Sequence, residues 1–182
     1  MKTDSLFYRL FQQMPALLLE LAGLDIPADG YRFSAEEVKQ TAFRLDGILQ
    51  PPESDEQRPC IFVEVQCQSD DDFYPRFFNE IFLHLRQYSS PRPWYAVVIY
   101  PERSVERDAP AAFRSLLNLP EIRRIYLEDL PTQATGALGL IALIVCPPEL
   151  AGVQARRMAS LTSPPLPFSE WLNFIETILV YK

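Results

Sequence analysis

Two acids lie in the middle of segments that otherwise read as β-strands: Asp46 in the run FRLDGIL and Glu64 in the run IFVEVQC. Because side chains alternate across a strand, each run has an apolar face and a face that carries the acid. A covered carboxylate is costly unless it is paired or holds a metal ion. If the two strands pair as an antiparallel hairpin, Asp46 and Glu64 can project from the same side of the sheet. Two carboxylates there form an oxygen-rich site of the kind that holds Mg²⁺.

The face that carries the acids has further residues of interest. Gln66 comes two positions after Glu64 and therefore lies on the same side of its strand. Ile48 and Phe62 also share this face, and their apolar side chains indicate that a helix covers it. For either acid alone, an ordinary amphipathic sheet with a solvated polar face is the simpler interpretation. A covered face with two acids and an amide favours a functional site.

The pattern around these runs predicts the elements that position them. Apolar residues at helical spacing predict helices within residues 4–23 and over residues 72–90. A polar loop flanked by prolines joins the two runs that bear the acids. The order is helix, three strands, helix, strand. The strand-like runs cover residues 31–39, 42–50, 60–68 and 94–101.

The chain beyond Pro101 reads as one further strand, IRRIYLEDL, followed by three helices. The last of these helices stops at Lys182 in mid-pattern, as a truncated chain would. The sequence therefore predicts an α/β fold with a small mixed sheet flanked by helices and a helical C-terminal region. We assign residues 1–130 to the core and residues 131–182 to the C-terminal region, which we expect to pack on the core.

The bulk composition limits the classes of protein. A chain of 182 residues with 48% hydrophobic residues predicts a globular domain with a real core. The net charge of −7 argues against a protein held on nucleic acid by broad basic surfaces, although it leaves room for a local basic groove. Three cysteines without metal-ligand spacing, no secretion signal and no apolar run of membrane-spanning length predict a cytoplasmic protein without a membrane segment.

Other chemistries have little support in the sequence. His84 is the single histidine, and a structural role for it is the simpler interpretation. There is no GxSxG, no GxxxxGK[ST] and no GxGxxG, so hydrolase-triad and nucleotide-binding interpretations have no motif to rest on. The acids at 70–72 lack the spacing of a calcium-binding loop and read as a loop before a helix.

The pattern of Asp46 followed on the next strand by Glu64-x-Gln66, in this order of elements, resembles the PD-(D/E)xK nuclease superfamily. More narrowly, KQTAFRLDG, FVEVQ and FFNEIFLHLRQY are similar to segments of a bacterial family of transposase-like, recombination-promoting nucleases (Rpn-like). The similarity runs from TDSLF to at least VVIYP. It implies a restriction-endonuclease-like αβββαβ core.

The resemblance also implies roles for individual residues. Asp46 and Glu64 match the metal-binding acids of the superfamily, and Val65 stands where a backbone carbonyl serves as a further ligand. Gln66 occupies the position that usually holds Lys. Lys supplies a charge that stabilises the transition state, whereas Gln can orient a water molecule but adds no charge.

Five other residues are candidates for supporting roles. Asp4 matches an auxiliary acid near the first helix of the narrower family, although a position at the N-cap of that helix explains it equally well. Lys39, Arg44, Arg76 and Arg86 could contact DNA phosphates, which is a sequence-independent role. For each of these four, solvated surface charge is an equally good interpretation.

The function implied by the resemblance is a metal-dependent DNA endonuclease, with Mg²⁺ or Mn²⁺ as cofactor and DNA as partner. One alternative is a catalytically silent relative that acts as a DNA-binding or assembly module. Another is a purely structural domain. The sequence leaves the oligomeric state open, including a homo-oligomer.

Overall fold

The computed structural model describes residues 2–34, 46–88, 92–131 and 134–181, with the side chains of those between residues 5 and 180. The fold is α/β, as predicted: a five-stranded mixed sheet flanked by helices, followed by a helical C-terminal region. The helices of the described residues are α1 Lys2–Gln13, α2 Pro15–Leu21, α3 Phe73–Tyr88, α4 Gly136–Val145, α5 Pro148–Ala159 and α6 Phe168–Tyr181. The strands are β1 Arg32–Ser34, β2 Gly47–Gln50, β3 Cys60–Val65, β4 Trp94–Tyr100 and β5 Ile122–Tyr126.

The strands lie in the sheet in the order β1-β2-β3-β4-β5. The first three pair antiparallel, and β3, β4 and β5 pair parallel. The helix α3 connects β3 to β4, and residues 101–121 connect β4 to β5, because parallel neighbours need a crossover connection. The order helix, three strands, helix, strand agrees with the sequence-based prediction.

The described strands are shorter than the predicted runs. The run 31–39 contributes β1 at Arg32–Ser34, and residues 35–45 lie outside the described part of the chain. The run 60–68 ends as a strand at Val65, although the backbone N–H of Gln66 still donates to the carbonyl of Ile99 at 2.9 Å. Beyond that bond the chain leaves the sheet and turns toward α3.

The sheet separates two apolar layers, as the alternation along β2 and β3 predicts. On one face, Leu49, Ile61 and Val63 pack with α1, α2 and the three C-terminal helices. On the other, which we call the α3 face, Ile48 and Phe62 pack against α3. The face that carries Glu64 is therefore covered by a helix.

A close approach of backbone and side chain fixes the start of β2. The ring of Phe33 on β1 lies over Gly47, and a Cβ atom at Gly47 would be 2.0 Å from Cζ of that ring. Phe33 in turn packs against Tyr8 and Phe11 of α1, with ring centroids 5.4 and 5.7 Å away. Only glycine lets β2 pass under Phe33 at this distance.

None of the helices in the described residues has both the length and the apolar character needed to cross a membrane.

Candidate functional site

Asp46 and Glu64 face each other at the open end of the β2–β3 pair. In this antiparallel pair Gly47 lies opposite Val63, so the next residues outward along the two strands are Asp46 and Glu64. The backbone N–H of Asp46 donates to Oε2 of Glu64 at 3.1 Å, and the backbone N–H of Val65 donates to Oδ2 of Asp46 at 2.9 Å. Each carboxylate is thus bound by the backbone of the opposite strand. We call this pair the interlocked acids.

The interlocked acids differ in burial. Glu64 lies on the α3 face with Phe62 two residues before it, and only 6% of its surface is exposed. Asp46 is half-buried and lies immediately before β2, outside the strand in which the sequence analysis placed it. The site therefore has one carboxylate beneath α3 and one nearer to solvent. A ligand could approach it from the side of Asp46.

Arg76 on α3 connects the interlocked acids to the helix. Its guanidinium lies 3.6 Å from Oε1 of Glu64, 2.8 Å from Oδ2 of Asp70 and 3.9 Å from Oε1 of Glu80. Three acids therefore share this one cation, and about a third of the Arg76 side chain is exposed. The structure places Arg76 as a partner of the acids, so little of its charge is left for a DNA phosphate.

Glu80 is a third acid of this region that the sequence analysis did not single out. It is 1% exposed and lies one turn after Arg76 on α3. The sequence contains a signal for its burial, because position 80 shares the helix face of Phe73, Phe77 and Ile81. An acid on the buried face of an amphipathic helix is unusual enough to suggest a role.

The charges around Glu64 do not balance. Burial beneath α3 and the negative charge of Asp46 raise the pKa of the Glu64 carboxyl well above its usual range, and Glu80 adds to the effect. The N–H of Asp46 and the guanidinium of Arg76 act in the opposite direction but do not outweigh them. A positive ion beside these carboxylates would relieve the excess negative charge.

The donor atoms fit a hard divalent cation. Two carboxylates and a backbone carbonyl are oxygen ligands, and Mg²⁺ is commonly held by one or two carboxylates while it keeps several water molecules. Val65, whose carbonyl was predicted as a ligand, is the residue whose N–H binds Asp46. Within the described ranges, no group of three or more His, Cys, Asp or Glu side chains is arranged to hold a metal ion. A cation here would depend on the interlocked acids and on water.

Gln66 lies next to the site, but its amide has a local partner. Its Nε2 donates to the backbone carbonyl of Gln68 in a short hydrogen bond. Among the described residues it makes no hydrogen bond to Asp46 or Glu64. Its side chain would have to leave Gln68 in order to orient a water molecule beside the acids.

Among the other candidate residues, only Arg86 has a described side chain, and it is not brought to this site. Lys39 and Arg44 lie outside the described residues. Arg86 is in the last turn of α3, and the rise of an α-helix places it about 15 Å from Arg76 along the axis. The helix α1 begins at Lys2, so the backbone of Asp4 lies within its first turn and not at its N-cap, as one interpretation had it. The side chain of Asp4 is outside the described part.

Comparison with known proteins places the chain in a family without giving it an activity. Neither the curated proteins nor the solved structures contain a match to this chain. The family model described as "Protein of unknown function (DUF2887)" matches residues 3–182. Because this match covers nearly the whole sequence, the chain belongs to the family of proteins of unknown function DUF2887.

Proposed function

We propose that the protein is a metal-dependent DNA endonuclease that hydrolyses phosphodiester bonds in the cytoplasm. The observation that carries this proposal is the pair of interlocked acids. Two carboxylates, one immediately before β2 and one on β3, are held side by side, one of them buried, with more negative charge than Arg76 neutralises. The resemblance of Asp46, Glu64 and Gln66 to the PD-(D/E)xK pattern supports the same conclusion.

The roles of the residues follow from their positions. Asp46, Glu64 and the carbonyl of Val65 would hold Mg²⁺ or Mn²⁺, which supplies Lewis-acid polarisation of the phosphate. The sheet holds both acids rigidly, because each is bound to the backbone of the other strand. The amide of Gln66 would release Gln68 and orient the attacking water. Arg76 keeps Glu64 in place and is a positioning residue.

A nicking assay on supercoiled plasmid tests the proposal. We expect the wild type to nick plasmid with Mg²⁺ or Mn²⁺ and not with EDTA. Asp46→Asn is the matched variant, because an amide oxygen can still accept the Val65 N–H while the charge is lost. This variant should keep its fold, by circular dichroism, and lose at least a hundredfold of the nicking rate. Nicking by Asp46→Asn at the wild-type rate would remove the interlocked acids from the mechanism.

A catalytically silent nuclease-fold relative that binds DNA or assembles with other proteins is the second candidate. The observation that favours it is Gln66, which brings no positive charge to the site and whose amide is bound to Gln68. The nicking assay, run beside calorimetric titration with Mn²⁺, separates the two candidates. Metal binding without nicking, or neither, on a folded protein would support the silent relative.

A further inference from the structure

A polar pocket opens beside the crossover from β4 to β5, and neither of the interlocked acids is among its lining residues. It has a volume of about 470 Å³, which is within the usual range for ligand sites. Four arginines line it, and the acidic residues of its lining are Glu106 and Asp108. In a chain with a net charge of −7, this is a local concentration of positive charge. The four arginines are Arg103, Arg107, Arg114 and Arg124.

Two of the arginines are fixed in the wall of the pocket. Arg124 pairs with Glu106 at 3.1 Å, and Glu106 also accepts hydrogen bonds from Tyr74 and Tyr126. Arg103 pairs with Glu128 at 2.9 Å, and its guanidinium lies 4.3 Å from the centroid of the Tyr126 ring. These contacts hold the wall in one arrangement before any ligand arrives.

The other two arginines present charge to solvent. Within the residues that the structure describes, Arg114 makes no ion pair, and its Nε donates to the carbonyl of Ala109 at 3.2 Å. Arg107 pairs with Asp71 at 3.4 Å, but 92% of the Asp71 side chain is exposed. A pair with so exposed a partner contributes little and is easily exchanged for another anion. The pocket can therefore offer two guanidinium groups to an anionic ligand.

The position of the pocket connects it to the interlocked acids. Arg107 contacts Asp71, and the neighbouring Asp70 contacts Arg76, which contacts Glu64. The loop before α3 thus lies between the pocket and the acids. A single extended ligand could cover both, because the two sites border the same short loop.

The lining favours a backbone phosphate over a free nucleotide. A nucleotide site usually offers an aromatic or apolar wall for the base. Here, among the described residues, no aromatic side chain lines the pocket, and its apolar lining consists of Ala109 and Leu117. Guanidinium groups without an aromatic wall for the base match phosphate, which arginine binds through paired N–H groups.

We infer that the arginine-lined pocket binds a backbone phosphate of duplex DNA, through Arg107 and Arg114, beside the interlocked acids. This inference rests on the proposed function for the choice of DNA. It moves the phosphate contacts from Arg76 and Arg86 to residues of the β4–β5 crossover. Such contacts position the strand without reading its sequence.

Anisotropy of a fluorescently labelled DNA duplex of about 20 base pairs, measured in EDTA so that no strand is cut, tests the inference. We expect the double variant R107A/R114A to bind about tenfold more weakly than wild type. Its slope of log affinity against log salt should be less steep by about 0.9, since the variant loses its contact with one phosphate. The variant R107K/R114K keeps both charges and should bind within about threefold of wild type.

A matched control removes the same charge elsewhere. R156A/R157A lies on α5, on the opposite side of the sheet from the pocket, and should change neither the affinity nor the salt slope. Circular dichroism should show that all variants are folded, because Arg107 and Arg114 are exposed. An equal loss in both double variants would show a general charge effect and overturn the inference.

The remaining outcomes separate this inference from the proposed function. Wild-type affinity in a folded R107A/R114A, or no duplex binding by the wild type, overturns the inference even if plasmid is nicked. Displacement of the duplex by dAMP at equal phosphate concentration, or tighter binding of an RNA duplex of the same sequence, also overturns it. Loss of binding in R107A/R114A, in a protein that neither binds Mn²⁺ nor nicks, supports the pocket and contradicts the endonuclease.

Discussion

The interlocked acids show how far a residue pattern can be followed from the sequence. Strand alternation predicts that Asp46 and Glu64 share a face with Phe62, and the structure brings the two acids together. It does not predict where the Gln66 amide points, because a side-chain torsion depends on local partners such as the Gln68 carbonyl. The sequence analysis missed Glu80 because α3 carries several charged residues. Only its position on the buried face of the helix distinguishes Glu80 from the others.

Gln66→Ala should separate water orientation from metal binding. The ligands Asp46 and Glu64 remain in this variant, so we expect Mn²⁺ affinity within about threefold of wild type by calorimetry. The nicking rate should fall by about 10–100-fold, because an orienting group is lost. Unchanged nicking would show that Gln66 stays on Gln68 and takes no part in the reaction.

Arg76→Ala should destabilise the protein by about 2–3 kcal/mol in urea unfolding at pH 7. It leaves Glu64 and Glu80 buried without their shared cation, which costs several kcal/mol for a fully buried pair and less here because Arg76 is partly exposed. Arg86→Ala on the same helix is the control, and as an exposed surface change it should stay within about 0.5 kcal/mol. Equal effects of the two variants would contradict the structural role of Arg76.

At the scale of elements, the period of the hydrophobic residues predicts the order of the helices and strands. It does not predict where each strand ends. The run of residues 60–68 has strand-like alternation to its end, but β3 ends at Val65. The arginine pocket was invisible in the sequence for a related reason. Its residues come from the crossover 101–121 and from β5, which share no periodic pattern, and only the parallel pairing of β4 and β5 brings them together.

Gly47→Ala should destabilise the protein by about 1–3 kcal/mol, because the added methyl group would meet the Phe33 ring at 2.0 Å. The companion change Phe33→Leu should recover part of the loss by opening space. Gly152→Ala on α5 is the control, since its Cβ would meet no heavy atom closer than 3.9 Å. That control should raise the stability by about 0.5–1 kcal/mol, because alanine favours a helix. Thermal melts of the wild type, G47A, G47A/F33L and G152A measure these differences in stability.

Glu106 should make the stability of the β4–β5 region depend on pH. Burial alone would raise the pKa of Glu106, but hydrogen bonds from Tyr126, Tyr74 and Arg124 outweigh it and hold the pKa below its usual value. A lowered pKa stabilises the fold above the pKa of the unfolded chain, about 4.3, and this contribution is lost as the pH falls through the folded pKa. Glu106→Gln should therefore lower Tm at pH 7 by a few degrees, and the difference should shrink toward pH 3.

At the scale of the whole molecule, the C-terminal helices complete the core of the sheet. Trp171 on α6 is fully buried, and its Nε1 donates to the carbonyl of Met158 on α5 at 2.9 Å. Residues of α4, α5 and α6 share one apolar cluster with α1 and with one face of the sheet. The sequence predicted a helical C-terminal region, although it could not say which helix contacts which.

Trp171→Phe should destabilise the whole molecule by about 2 kcal/mol, because a smaller ring leaves a cavity and the Met158 carbonyl loses its donor. We expect urea transitions followed by far-ultraviolet circular dichroism and by tyrosine fluorescence to shift together. Val180→Ala, at a site that is 82% exposed, should leave both transitions in place. Two separated transitions would show that residues 131–182 unfold as a unit of their own.

The interlocked acids also bear on which residues selection retains in related proteins. Asp46 and Glu64 close the end of the β2–β3 pair with their own hydrogen bonds, so they serve the architecture of the sheet whatever ion or substrate comes to them. Under the proposed function, a descendant that had lost cleavage would still be selected to retain oxygen acceptors at both positions. An active lineage and a silent one can therefore carry the same two acids. Within the described residues Gln66 bonds to its own loop and to Ile99, so under the proposed function change at Gln66 is the more informative record of whether cleavage has been retained.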